Sequence, residues 1–163
     1  ASFMYLDVTD EQGWINLVSN INKKYSTIDV FVHSAGFIKR TSIQETTEES
    51  WDLHMDIHVK GAFLGTKHVS PTMQNSKKGS IILVSSIMGL VGSASSTPYH
   101  TAKGAIHTFT KSAAIQLAKD NIRVNCISPG FVLTPMTKNI LTDNEILNSR
   151  LSSVPMKDRK SVV

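Results

Sequence analysis

Tyr99 and Lys103 lie four residues apart, directly after Thr97-Pro98, and Ser86 stands thirteen residues before the tyrosine. A phenol, an ammonium and a hydroxyl at these positions can together move a proton to or from a substrate oxygen. A tyrosine with an ordinary pKa of about 10 is a weak proton carrier at neutral pH. An ammonium held beside it stabilises the phenolate and lowers that pKa by about 2–3 units. The spacing serves this purpose on a helix, where positions i and i+4 share a face. Thr97 is a good N-cap and Pro98 suits the first helical position, so a helix is expected to open at Pro98 and run to about Lys119. Ser86, on a loop rich in small residues, adds a hydroxyl that can orient a substrate oxygen. Taken alone, a Tyr-x-x-x-Lys spacing is common and also fits a solvated surface helix.

The elements that must hold these groups follow from hydrophobic spacing. Phe3 to Val8 reads as a short buried strand, and Thr9 with Gln12 as a capping box. Trp14, Leu17, Val18 and Ile21 then keep helical spacing to about Lys24. Ile28 to His33 is an apolar run that predicts a buried strand, closed by a tight turn at Ser34-Ala35-Gly36. Thr46 and Glu49 offer a second capping box before a long helical pattern from Trp51 towards Met73. Ser80 to Ser85 and Ile122 to Ser128 are further strands, the latter broken by Pro129-Gly130. The remainder, from Thr134 to Val163, is polar and mixed, with Leu141, Ile146 and Leu151 as apolar anchors. This alternation predicts an α/β fold with a parallel sheet covered on both faces. Ligands of such sheets bind at the carboxyl ends of the strands. Asp7, Ser34-Ala35-Gly36, Ser85-Ser86 and Pro129-Gly130 are therefore expected to converge on one cleft.

Composition bounds the class of protein. The 163 residues suffice for a single domain, and 40% hydrophobic with 18% charged residues is ordinary for a globular chain. The net charge of +4 comes from dispersed basic residues, which argues against a nucleic-acid face. Cys126 is the single cysteine, so an internal disulfide and a multi-cysteine metal site are excluded, and it reads as a buried, inert thiol. His54 and His58 have a zinc-compatible spacing, but no third or fourth ligand is placed, so no metal is expected. His100 and His107 read as solvated or packing residues. No stretch approaches the ~20 apolar residues of a membrane span, and no secretory signal is visible; the expected location is the cytoplasm.

The order Ser86, Tyr99, Lys103, Pro129-Gly130 and Thr134, together with the strand ends before it, resembles the short-chain dehydrogenase/reductase family over nearly the whole chain. The resemblance implies a Rossmann-type doubly wound parallel sheet, NAD or NADP as cofactor, and interconversion of a small alcohol with a ketone or aldehyde. It implies that Ser86 orients the substrate oxygen and that Tyr99 exchanges the proton with it. Lys103 would lower the Tyr99 pKa and hold the nicotinamide ribose. Asp7 and Val8 would meet the adenine, Ser34, Ala35 and Gly36 would line the adenosine side, and Pro129, Gly130, Val132 and Thr134 would seat the nicotinamide. Residues 134–156 would form the substrate-binding segment, and the two long helices a homodimer or homotetramer interface. Two departures stand out. His33-Ser34-Ala35-Gly36 replaces the usual Asn-Asn-Ala-Gly, and His58 occupies the position of a catalytic Asn that helps hold a relay water. With a main-chain carbonyl holding that water, the helix is expected to open locally at His58.

A glycine-rich phosphate-binding turn is absent, so the chain reads as an incomplete member that starts inside the third strand and wants a final strand after Val163. The expectation is that these 163 residues alone bind the cofactor very weakly and show no turnover. The rival reading is a non-catalytic member or fragment that keeps only the fold and the subunit interface.

Overall fold

The computed structural model describes residues 1–138, 144–152, 154–155 and 160–161. Two compact units divide the chain, Ala1–Ser128 and Pro129–Val163.

The first unit is built on a parallel three-stranded sheet in the order β1-β2-β3, with β1 at Val30–His33, β2 at Gly79–Val84 and β3 at Ile122–Ile127. The register aligns His33 with Leu83 and Leu83 with Cys126, so the three carboxyl ends lie side by side. Side chains alternate across a strand. Phe31, Ile81, Leu83 and Val124 therefore share one face, and there Ile81 and Leu83 are completely buried among Val69, Met73 and Ile106. Those last residues belong to α3 (Gly61–Ser76) and α4 (Thr97–Leu117). On the opposite face Val30, Val32 and Ile127 remain about half exposed. The helices of this unit thus gather on one side of the sheet, whereas the apolar runs predicted cover on both. Cys126 is half-buried and hydrogen-bonded to His107 of α4, Sγ to Nδ1 3.2 Å, while Ser128 Oγ lies 3.3 Å from the other ring nitrogen.

Helix α1 (Glu11–Tyr25) is capped by Asp10, which accepts from the amides of Gln12 and Gly13. Thr9, the expected cap, instead donates both its amide and its hydroxyl to the Asp7 carboxylate. Trp14 packs edge-on against Phe31 at 5.7 Å and donates its indole N–H to the Val8 carbonyl. The expected strand at Phe3–Val8 does not form. A strand exists through the ladder bonds of its neighbours, and this segment finds none among the described residues; Phe3 is 91% and Tyr5 86% exposed.

The long helical pattern is realised as α2 (Glu48–His54), a π-helical segment (Met55–Lys60) and α3, without a break. Thr47 caps α2 through the Ser50 amide. Thr46, the expected cap, donates its hydroxyl to the Ser42 carbonyl. Pro71 removes one amide from α3, and the Ser70 hydroxyl donates to the carbonyl of Lys67 that this leaves short of a partner. No helix among the described residues is long and apolar enough to cross a membrane.

The second unit contains β4 (Val132–Leu133) paired in parallel with β5 (Lys160–Ser161), and α5 (Asn144–Leu151). Leu141, and residues 139–143, 153 and 156 of the expected substrate segment, lie outside the described residues.

Between β2 and α4 a short 3-10 turn, Ile87–Gly89, lies against the helix. A Cβ on Gly89 would stand 2.6 Å from the Lys103 carbonyl oxygen, a main-chain atom that cannot yield. Gly89→Ala is expected to lower stability by about 1–3 kcal/mol through forced separation of the turn from α4. Gly92→Ala, where nothing lies within 4 Å, should be near neutral. Urea midpoints of the two variants measure the contrast; equal midpoints would show that the turn does not need this contact.

Candidate active site

Ser86, Tyr99 and Lys103 meet where β2 ends against the start of α4. The two elements are tied in both directions: the Ser85 hydroxyl donates to the Lys103 carbonyl, and the Lys103 ammonium donates to the Val84 carbonyl, each at 2.8 Å. Ser86 has an extended backbone, and its Oγ accepts from the Met88 amide at 3.1 Å, capping the 3-10 turn. Tyr99 and Lys103 are 9% and 6% exposed, one turn apart as the spacing requires, with the ammonium over the Tyr99 ring at 5.7 Å from its centroid. The cap of α4 is Ser96 rather than Thr97, and Ser96 is held by a parallel bridge to Thr41.

Three histidines surround this group. His54 Nδ1 donates to the Ser50 carbonyl at 2.6 Å, and its Nε2 accepts from the Lys39 amide. With both nitrogens engaged it offers no ligand to a metal beside His58, and the described residues contain no group of three metal-ligating side chains. His58 Nε2 lies 2.8 Å from the Phe37 carbonyl. Nε2 also faces the Phe37 amide at 3.4 Å; the shorter contact is to an oxygen that only accepts, which puts the proton on Nε2 and the lone pair on Nδ1. That Nδ1 is buried without a partner, as is His33 Nε2. The His58 ring stacks on Phe37 and meets Tyr99 edge-on at 5.5 Å. It also lies over Gly36, where a Cβ would come within 2.6 Å of His58 Cε1. His58 sits inside the π-helical segment, where the Gly61 amide reaches the Asp56 carbonyl five residues back. The helix is locally widened at this position, as expected.

Burial dominates the electrostatics. It lowers His33 to a pKa of about 4 and His58 to about 3, and the Lys103 charge adds to the effect on both. Burial likewise lowers Lys103 to about 8. The Tyr99 phenol is raised above its ordinary value by burial, against the pull of the Ser86 hydroxyl and the Arg40 charge. The expectation is a phenol depressed by Lys103; in this structure burial is the larger influence on the phenol, and the pull against it comes from Ser86 and Arg40.

Of the other expected site residues, Val8 lies beside the His33 ring, both facing Gly61. Asp7 is exposed and its carboxylate is taken by Thr9, whose bonds lower its pKa. Ser34 is exposed and Ala35 and Gly36 are half-buried just beyond β1. Pro129, Gly130, Val132 and Thr134 belong to the second unit. There the Thr134 amide donates to Thr137 Oγ1, which donates to the Val132 carbonyl at 2.6 Å. The charge of Arg40 opposes the effect of burial on Tyr99, an influence that residue spacing does not reveal.

The family model described as enoyl-(acyl carrier protein) reductase matches residues 1–162. Cyclopentanol dehydrogenase of Comamonas testosteroni is 43% identical over 141 residues, which are 86% of this chain and 56% of that protein. Trans-4-hydroxycyclohexanecarboxylate dehydrogenase of Sinomonas cyclohexanicum is 40% identical over 140 residues, 86% of this chain and 54% of that protein. Among solved structures, ElxO with NADP bound superposes with a TM-score of 0.91 at 30% identity, covering 98% of this chain and 65% of that one. NAD+-bound xylitol dehydrogenase gives 0.90 at 29%, covering 97% and 66%. The chain spans about half the length of these two curated relatives.

The histidine shifts make stability pH-dependent. Both folded pKa values lie below the ordinary 6.5, so as pH falls the unfolded chain takes up protons first. Their stabilising contribution is complete above about pH 6.5 and is lost progressively towards the folded values of about 4 and about 3. Denaturant unfolding at pH 7 and pH 5 should show the loss, and His33→Asn should reduce the difference between the two. An unchanged difference would mean that His33 does not carry it.

Proposed function

This chain belongs to the short-chain dehydrogenase/reductase family, and from that premise we propose that the protein interconverts an alcohol and a ketone or aldehyde with NAD or NADP as hydride carrier. The supporting observation is the meeting of the Ser86 hydroxyl, the Tyr99 phenol and the Lys103 ammonium at the end of β2. The donor set suits the cofactor's ribose end. After its bond to Val84 the ammonium keeps two hydrogens for ribose hydroxyls, and the buried Nδ1 of His58 is an acceptor without a partner. A bound nicotinamide supplies or takes the hydride. The chain's own residues then need only orient the substrate oxygen and handle one proton.

Ser86 donates a hydrogen bond to the substrate oxygen. Tyr99 gives its proton to that oxygen in reduction, leaving the phenolate, and in oxidation the phenolate takes the proton of the alcohol. Lys103, one turn along α4, stabilises the negative charge that develops on the phenol. His58 acts as a neutral imidazole that positions the Phe37 loop and the Tyr99 ring; its pKa of about 3 keeps it uncharged through the working range. Asp7 and Val8 are assigned to the adenine, Ser34, Ala35 and Gly36 to the adenosine side, Pro129, Gly130, Val132 and Thr134 to the nicotinamide, and residues 134–156 to the substrate. Self-association is assigned to α3 and α4, whose outer surfaces expose Phe63 and Ile115.

Nicotinamide absorbance with a panel of alcohols and ketones tests the reading in the full-length protein. Tyr99→Phe should lower kcat by about two to four decades with cofactor binding retained, the usual worth of a general acid–base. Lys103→Ala should lose both. His58→Asn should keep kcat within about tenfold, and the wild-type pH–rate profile should show no inflection near 6.5. Near-normal kcat in the Phe variant would overturn the mechanism. Cofactor binding without hydride transfer to any compound would favour the non-catalytic reading.

A further inference from the structure

We propose that Ser93 is a second reactive centre, a serine nucleophile with His100 as its base, which takes acyl groups from activated carboxylic esters. The hydrogen bonds fix the direction of the relay. His100 lies in the first turn of α4, and its Nδ1 stands 2.6 Å from the Ser96 carbonyl oxygen. That oxygen only accepts, so Nδ1 carries the proton and Nε2 the lone pair. Ser93 Oγ lies 3.0 Å from Nε2 and is therefore the donor in that bond. With its single proton committed to the imidazole, Ser93 accepts from Ser95 in the 2.9 Å contact between the two hydroxyls. A hydroxyl, a base within hydrogen-bond reach and a third group that orients the base are the parts of an activated serine. Here the orienting group is a main-chain carbonyl at the cap of α4. It also accepts the His100 amide, and its residue is bridged to Thr41. His100, expected as a solvated or packing residue, thus has both ring nitrogens engaged.

Access and chemistry agree with this role. Ser93 is exposed on the loop before α4, and a Cβ on neighbouring Gly92 would meet nothing within 4 Å, so the approach is open. Leu90 and Val91, 66% and 57% exposed, give the same loop apolar surface for an aryl or alkyl ester. His100 meets Tyr99 only edge-on, with ring centroids 6.3 Å apart, and adjacent helical residues do not share a face. In the reaction, Ser93 Oγ bonds to the acyl carbon and its proton passes to His100 Nε2. Negative charge gathers on the former carbonyl oxygen, and the Ser95 hydroxyl is the donor beside it. The bond to the leaving oxygen then breaks, that oxygen takes the proton from the imidazolium, and an alcohol departs. A water molecule repeats the sequence on the acyl-serine: it gives one proton to His100, its oxygen bonds to the acyl carbon, and Ser93 recovers its hydrogen as the carboxylic acid leaves.

The test treats the full-length protein with p-nitrophenyl acetate in the absence of nicotinamide, so its outcome does not depend on the oxidoreductase reading. A burst of nitrophenolate, about a single equivalent per chain, should precede slower turnover. Peptide mass spectrometry of the quenched burst should place the acetyl group on Ser93. Ser93→Ala should abolish the burst, and His100→Ala should slow it by about two to four decades, the usual worth of a general base. Ser95→Ala should slow it about tenfold and leave the acetyl group on Ser93, the loss of one donor to the developing oxyanion. Far-ultraviolet dichroism matching the wild type shows that each variant is folded. A burst that survives in Ser93→Ala, acetyl groups spread over lysines with none favoured on Ser93, or acetylation of Ser93 at the same rate in folded His100→Ala would each overturn the proposal.

Discussion

The ammonium of Lys103 is buried, and much of the site follows from how the fold accommodates it. Withdrawing a charge from water costs several kcal/mol even after relaxation. The chain meets this by aiming the ammonium at the Val84 carbonyl and lowering its pKa to about 8. The same contact binds α4 to the end of β2, and Ser85 reinforces it from the other side. Burial, with the Lys103 charge adding to it, keeps His33 and His58 neutral. Tyr99 inherits its position from this arrangement, being one turn from the anchored lysine and braced by the His58 ring.

The widened helical segment is the second fixture. At Met55–Lys60 the ladder shifts to five-residue spacing without interrupting the helix. Single-turn insertions of this kind re-aim side chains inside a helix that is otherwise continuous. Here the segment carries His58, which reaches the Phe37 carbonyl and overlies Gly36. The loop after β1 is thereby held by the His58 side chain as well as by the Thr41–Ser96 bridge.

What could be read in the sequence was local. Apolar runs marked β1, β2 and β3, and the i,i+4 relation of Tyr99 to Lys103 survived intact because helix geometry fixes it. The caps were each misplaced by one residue, at Asp10, Thr47 and Ser96. Neighbouring polar residues are equally competent caps, and the choice falls to one whose rival is engaged elsewhere, as Thr9 is by Asp7 and Thr46 by Ser42. Through-space properties were not legible at all. The raised phenol depends on burial, opposed by the charge of Arg40, 59 positions away along the chain. The segment Phe3–Val8 has a strand's composition, yet strand formation depends on neighbours that composition does not specify.

The sheet face bearing Val30, Val32 and Ile127 has a practical consequence for anyone handling this polypeptide. These apolar side chains stand about half exposed on a rigid, hydrogen-bonded support. Such a surface attracts apolar fluorophores such as ANS, whose brightening is commonly taken as the mark of loosened tertiary packing. For this fold the dye will brighten against intact β-structure. Near-ultraviolet dichroism of Trp14, packed against Phe31, is the sounder gauge of whether the interior has come apart.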